Sequence, residues 1–173
     1  MVLDGGVIYS KTVAENPSQL IDAIVGAVKE RGIASVVVAS TNGKTALKLA
    51  EALAGIAKVI SVTEFTYQDD VKSSMKKMGV TAIERTDLPI HDRKDAREAL
   101  LIFGAGVKAA LEVAVIAAGK GVVQGDSIVA VAGSGGAIDT ALVVRPAKPE
   151  DLDDPDPSKR MSVLDIIALP TKG

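Results

Sequence analysis

Apolar runs and amphipathic segments alternate along almost the whole chain, the pattern of an α/β fold built on a largely parallel sheet. Val7, Ile8 and Tyr9 form a short strand candidate. Asn16-Pro17-Ser18-Gln19 then reads as a helix start: Asn caps, Pro takes the first helical position, and Gln three residues on bonds back to the cap. Leu20, Ile21, Ile24, Val25 and Val28 follow at helical spacing, and Gly32 closes the helix. Residues 33–39 contain Val36-Val37-Val38, a β-branched run suited to a strand covered on both faces. A second helix is predicted over 44–55, with Leu47, Ala50, Leu53 and Ala54 inward. A strand over 58–63, a short helix near 71–78 and a strand over 80–84 come next. A long helix over 95–119, broken near Gly104-Ala105-Gly106, precedes two strands, 127–132 and 140–144, whose intervening glycines read as a hairpin turn. A loop rich in Pro and Asp leads to a last strand over 163–169. The expected architecture is a three-layer α/β/α fold, its mostly parallel sheet ending in an antiparallel hairpin, in one domain over 1–173.

Composition narrows what such a fold can do. At 173 residues, with 47% hydrophobic and 24% charged, the chain has enough apolar material for a sizeable core. The 20 Lys and Arg against 22 Asp and Glu leave a net charge of −2, which gives no field for steering nucleic acid or an anionic membrane. Aromatic residues are 2% of the chain, too few for base-stacking platforms, so no nucleic-acid partner is expected. The absence of cysteine excludes disulfides, thiolate zinc sites and cysteine nucleophiles. With one histidine, His91, a two-histidine metal site is excluded, and no metal is expected. The longest apolar stretch, residues 113–118, falls far short of the roughly 20 residues of a membrane span. No basic and apolar leader opens the chain, so a cytoplasmic location is expected. The many Ala and Val that read as exposed allow a homo-oligomer.

Candidate chemistry concentrates in two loops. Ser40-Thr41-Asn42-Gly43-Lys44-Thr45 falls between a buried strand and a helix start, where unpaired N–H groups and a partial positive charge favour a phosphate or carboxylate. Gly43 permits a tight turn, the hydroxyls of Ser40, Thr41 and Thr45 add donors, and Lys44 adds a cation. The end resembles a Walker A loop, but Val38 stands where that motif needs its first glycine. The alternative is that Ser40 or Thr41 only caps the helix. Gly133-Ser134-Gly135-Gly136, with Asp139 and Thr140 just beyond, allows close backbone approach to a ligand or, equally, a plain hairpin turn. It is no dinucleotide fingerprint, because Ile138 occupies the last glycine position and a strand follows. His91 reads as a surface-loop residue able to help bind a ligand, and Glu64 ends a strand that can face a crevice. Glu112, in an apolar helix, needs a partner if buried, such as a lysine or arginine. Asp151, Asp153, Asp154 and Asp156 resemble a calcium loop by charge alone, since Pro155 and Pro157 interrupt it and the central glycine is missing.

Residues 39–46, followed by Lys58-Val59-Ile60-Ser61-Val62-Thr63, resemble the C-terminal domain of pyruvate kinase, where a Thr/Ser-Gly-x-Ser/Thr-Ala loop opens a helix and a strand ending in Val-Thr follows. Gly121, the stretch from Gly125-Asp126 to Gly133, Gly136 and Thr140 resemble that domain's Gly-Asp-x-Val-Val-Val-x-x-Gly stretch and hairpin. Glu15-Asn16, Val38-Ala39-Ser40, Ala132 to Gly136 with Asp139-Thr140-Ala141, and Asp165 to Pro170 are similar to stand-alone archaeal and bacterial proteins built on this domain alone. In the enzyme, the resemblance implies a regulatory domain whose loop binds the phosphate of a sugar-phosphate activator. A catalytic barrel of about 250 residues has no room here, so pyruvate kinase activity is not implied.

The stand-alone family implies FMN or a similar phosphorylated small molecule as ligand. By motif, Ser40, Thr41, Gly43, Lys44 and Thr45 hold the phosphate, while Gly133, Ser134, Gly135, Gly136 and Asp139 line the other side. Asn42, Thr63, Glu64 and Thr140 complete the implied set. Asn42 looks inserted relative to the enzyme's loop, and Glu64-Phe65-Thr66 replaces a histidine-containing turn of close relatives. The leading expectation is a binding protein with no assigned catalytic residue. The alternatives are a flavin- or sugar-phosphate-dependent enzyme using Glu64, His91 or Asp139 for proton transfer, and a regulatory or assembly module without chemistry of its own.

Overall fold

Val36, Val37 and Val38 are completely buried, and they alternate between two separate cores. Val36 and Val38 join one cluster with Leu20, Ile24, Leu49 and Met75, while Val37 joins the other with Leu111, Val115 and Ile90. A strand whose successive side chains are buried on opposite faces must sit in the middle layer of three. The computed structural model describes residues 7–10, 17–134 and 137–170. Its elements are β1 (Ile8–Ser10), α1 (Pro17–Arg31), β2 (Ser35–Ala39), α2 (Lys44–Ala52), β3 (Lys58–Val62), α3 (Asp69–Lys77) and β4 (Thr81–Ile83). They continue with α4 (Lys94–Leu101), α5 (Ala105–Gly119), β5 (Ile128–Ser134), β6 (Ala137–Arg145) and β7 (Ser162–Pro170).

The strands form a single seven-stranded sheet in the order β1-β7-β6-β5-β2-β3-β4. Four neighbouring pairs run parallel, and β6 runs antiparallel to both β5 and β7. The hairpin implied by the glycines is β5–β6, and it lies inside the sheet, because β7 adds to β6 and β1 adds parallel to β7. Side chains of α1 and α2 cover one face, and those of α5 cover the other. The expected α/β/α layering is therefore the one adopted.

One helical detail differs from the expected pattern, and the expected break in the long helix is present. In α2 the buried stripe is Ala46, Leu49, Ala50 and Leu53, with Leu47 half-buried and Ala54 exposed. Lys44, Lys48 and Glu51 mark the outward face, which leaves Leu47 at the edge of the buried stripe, and Ala54 lies beyond the last helical residue, Ala52. The long helix is divided into α4 and α5 at Gly104, which adopts φ 109° as the α5 N-cap. Eleven of the 15 residues of α5 are buried, a helix wrapped on nearly all sides. Asn16 lies outside the described residues. No helix among the described residues is long and apolar enough to cross a membrane.

Candidate functional site

At the carboxyl end of β2 the chain enters a loop whose path is fixed by Gly43. This residue has φ 81° and is the N-cap of α2. A Cβ there would lie 2.5 Å from Met75 Cε and 2.6 Å from Val71 Cγ1, so both conformation and space require glycine. The Lys44 N–H donates to Asn42 Oδ1 at 3.1 Å. Capping by Ser40 or Thr41 is thus not what the loop does: the cap residue has no side chain, and the neighbouring amide supplies the local bond. Ser40, Thr41, Asn42 and Thr45 instead line a cleft of about 280 Å³.

That cleft opens where β2, β3 and β5 end. β2 separates β3 on one side from β5 on the other, and α2 and α5 lie on opposite faces of the sheet. Such a switch point leaves a crevice beyond the strand ends, the usual ligand position in open α/β sheets. Thr63 and Glu64 line it from the end of β3, and Gly133, Ala137 and Ile138 from the hairpin.

Tyr67 braces the loop from beneath. Its hydroxyl donates to the Ser40 carbonyl at 3.0 Å and lies 2.6 Å from Ser61 Oγ, which, the phenol proton being used, is the donor of that second bond. Burial, opposed by the Ser61 bond and reinforced by the Glu84 charge, pushes the phenol up to about 12. Glu84 also accepts from the Tyr67 N–H at 2.6 Å and pairs with Lys72 at 3.4 Å.

The opposite wall comes from α5. Glu112 is buried, and its carboxylate accepts from the N–H groups of Ile90 at 2.7 Å and His91 at 3.0 Å. Lys108 Nζ lies 3.8 Å from the same carboxylate and 3.1 Å from His91 Nδ1. An ammonium only donates, so His91 Nδ1 is the acceptor. Glu112 and Lys108 both line the cleft, and among the described residues Lys108 is the cation on its lining. The partner expected for Glu112 is therefore Lys108, joined by two backbone amides. Lys108 was not among the expected site residues: its i,i+4 spacing from Glu112 marks a pair, but not the cleft that both line. Thr86 also lines the cleft, with its buried hydroxyl lacking a partner among the described residues. Leaving such a group unpaired costs about 1–3 kcal/mol.

Other expected site residues lie elsewhere. Lys44 is exposed and Gly43 is packed under α3, and neither lines the cleft. Asp139 and Thr140 are buried beside the start of α5: Thr140 Oγ1 donates to Asp139 Oδ1 at 2.7 Å, and both crowd the space a Gly106 side chain would need. Gly133 leaves room for the Ala137 carbonyl at the point where the β5–β6 register shifts. Gly135, Gly136 and the Ser134 side chain lie outside the described residues. Among the described residues no cluster of metal-ligating side chains occurs.

The fold and the crevice together define an α/β domain with a polar strand-to-helix loop facing a largely apolar helix that carries the Lys108–Glu112 pair. The family of the pyruvate kinase alpha/beta domain has this core, and its model matches residues 18–144 of the 173. The chain belongs to that family.

Proposed function

We propose that the cleft binds a phosphorylated small molecule, with FMN as the first candidate. The observation that carries this reading is the convergence of Ser40, Thr41, Asn42 and Thr45 with Lys108 on one cleft. A phosphate held there receives hydroxyl and amide donors, the favourable end of the α2 dipole and a cation. Lys108 is shared with the Glu112 carboxylate, which two backbone amides also hold, and Glu64 lines the same cleft, so the hydroxyl and amide donors of the loop, rather than net charge, support the reading.

The same cleft suits the rest of an FMN molecule. Leu88, Val113 and Ile116 offer apolar surface, and the unpaired Thr86 hydroxyl offers a hydrogen bond. A bound flavin would supply hydride or single-electron chemistry, while these residues bind and orient it. Asp139 is engaged with Thr140 beside Gly106, and His91 faces Lys108, so neither supports a role as catalytic base.

The direct test is to mix purified protein with FMN, remove the excess by gel filtration and record the visible spectrum. About one retained flavin per chain is the expected result, reduced by Thr41→Val together with Thr45→Val. A colourless protein after filtration would reject FMN, and failure of inorganic phosphate to compete would reject the phosphate site.

A further inference from the structure

We infer that the ligand of this cleft carries a flat conjugated ring, and that Phe65 is the side chain on which the ring stacks. This rests on the reading of the cleft as a phosphate-ligand site and specifies what the phosphate is attached to. Phe65 lines the cleft and is 54% exposed, in a chain with only two Phe, two Tyr and no Trp. The core does not need it there, since Tyr67 two residues later fills the space under the loop.

The Phe65 backbone is nevertheless held on both sides. Its N–H donates to Thr63 Oγ1 at 3.1 Å, and its carbonyl accepts from the Arg85 N–H at 3.1 Å. Arg85 has φ 52°, which makes it the one described non-glycine residue in the left-handed region. Its Nε also donates to Thr66 Oγ1 at 3.0 Å. Unfavourable backbone conformations of this kind persist where surrounding bonds over-determine them, and they concentrate at binding sites. An exposed ring on a fixed backbone is a preorganised surface, because little conformational freedom is lost when another ring covers it.

The neighbouring chemistry agrees. Ala109, Val113 and Ile116 of α5 and Leu88 give the cleft an apolar wall. The buried Thr86 hydroxyl, unpaired among the described residues, suits a ring with a hydrogen-bonding edge. A sugar phosphate, polar on all sides, would bury hydroxyls against that wall without partners. The ligand class is thus aryl or heterocyclic phosphates, a nucleotide or flavin rather than a sugar phosphate.

Calorimetric titration of the full chain with FMN, ribose 5-phosphate and inorganic phosphate tests this. FMN should bind most tightly. Phe65→Ala should weaken FMN by roughly 5- to 150-fold, the equivalent of a stacking contribution of about 1–3 kcal/mol, and leave ribose 5-phosphate unchanged. Phe65→Trp should restore FMN affinity, and its indole, the only one in the chain, should lose fluorescence as the ring stacks. Equal FMN affinity in Phe65→Ala, or ribose 5-phosphate binding the unaltered protein as tightly as FMN, would overturn the ring inference while sparing the phosphate site. Failure of all three ligands to bind would overturn both.

Discussion

Tyr67 joins three parts of the molecule: its hydroxyl bonds Ser61 of β3 and the Ser40 carbonyl of the loop after β2, and its ring packs near Gly43 at the α2 cap. Tyr67→Phe keeps the packing and removes the bonds, leaving buried polar groups short of a partner. The expected loss is about 1–3 kcal/mol of stability, read from denaturant unfolding. Because the folded phenol is raised from its ordinary value near 10 to about 12, the neutral form is the one the fold favours. The contribution is therefore fully present below pH 10 and declines as pH rises toward 12. The stability gap between the unaltered protein and Tyr67→Phe should narrow over that window. A constant gap would show that the phenol does not ionise with the expected penalty. At the neighbouring cap, Gly43→Ala combines a left-handed backbone with overlap onto Val71 and Met75. It should cost at least about 2 kcal/mol, measured the same way.

At the scale of elements, α5 and the connection after β4 act as one unit because Glu112 ties them together. Glu112→Ala would leave the amides of Ile90 and His91 and the Lys108 ammonium without their carboxylate. A destabilisation of about 2–4 kcal/mol is expected, with faster amide exchange confined to residues 88–93. Uniform exchange across the chain would contradict the tie.

What was legible in the sequence divides along the same line. Residues 40–45 were visible because hydroxyls, an amide and a glycine stand together after a buried strand, a local pattern. The strands and helices were visible for the same reason, through their periods. Lys108, Thr86 and Phe65 were not, since each comes from a separate connection and only the strand order gathers them at one cleft. Of the residues expected to face inward from α2, Ala50 and Leu53 do so; Leu47 sits at the edge of the stripe, and Ala54 lies past the helix end at Ala52 and is exposed. Asp139 stood near the glycines in sequence, but the turn of β6 brings it against Gly106 instead of the cleft.

For the whole molecule, a ligand bound in a cleft at the junction of both cores would couple its binding to global stability. Strand ends from β2, β3 and β5, the α2 loop and α5 all contribute to the cleft, so unfolding any of them abolishes it. A ligand that binds only the folded state stabilises it by about 2.7 kcal/mol at a hundred times its dissociation constant. For a chain of this length that corresponds to a rise of about 5–11 °C in Tm. The measurement that tests the account most directly is thermal unfolding against FMN concentration, made in parallel on the unaltered protein and on the Thr41→Val, Thr45→Val double variant. The account requires Tm to climb with the logarithm of FMN concentration in the unaltered protein, and the curve to shift to higher concentration in the variant. A Tm independent of FMN, or two curves that superimpose, would contradict the assignment of this cleft.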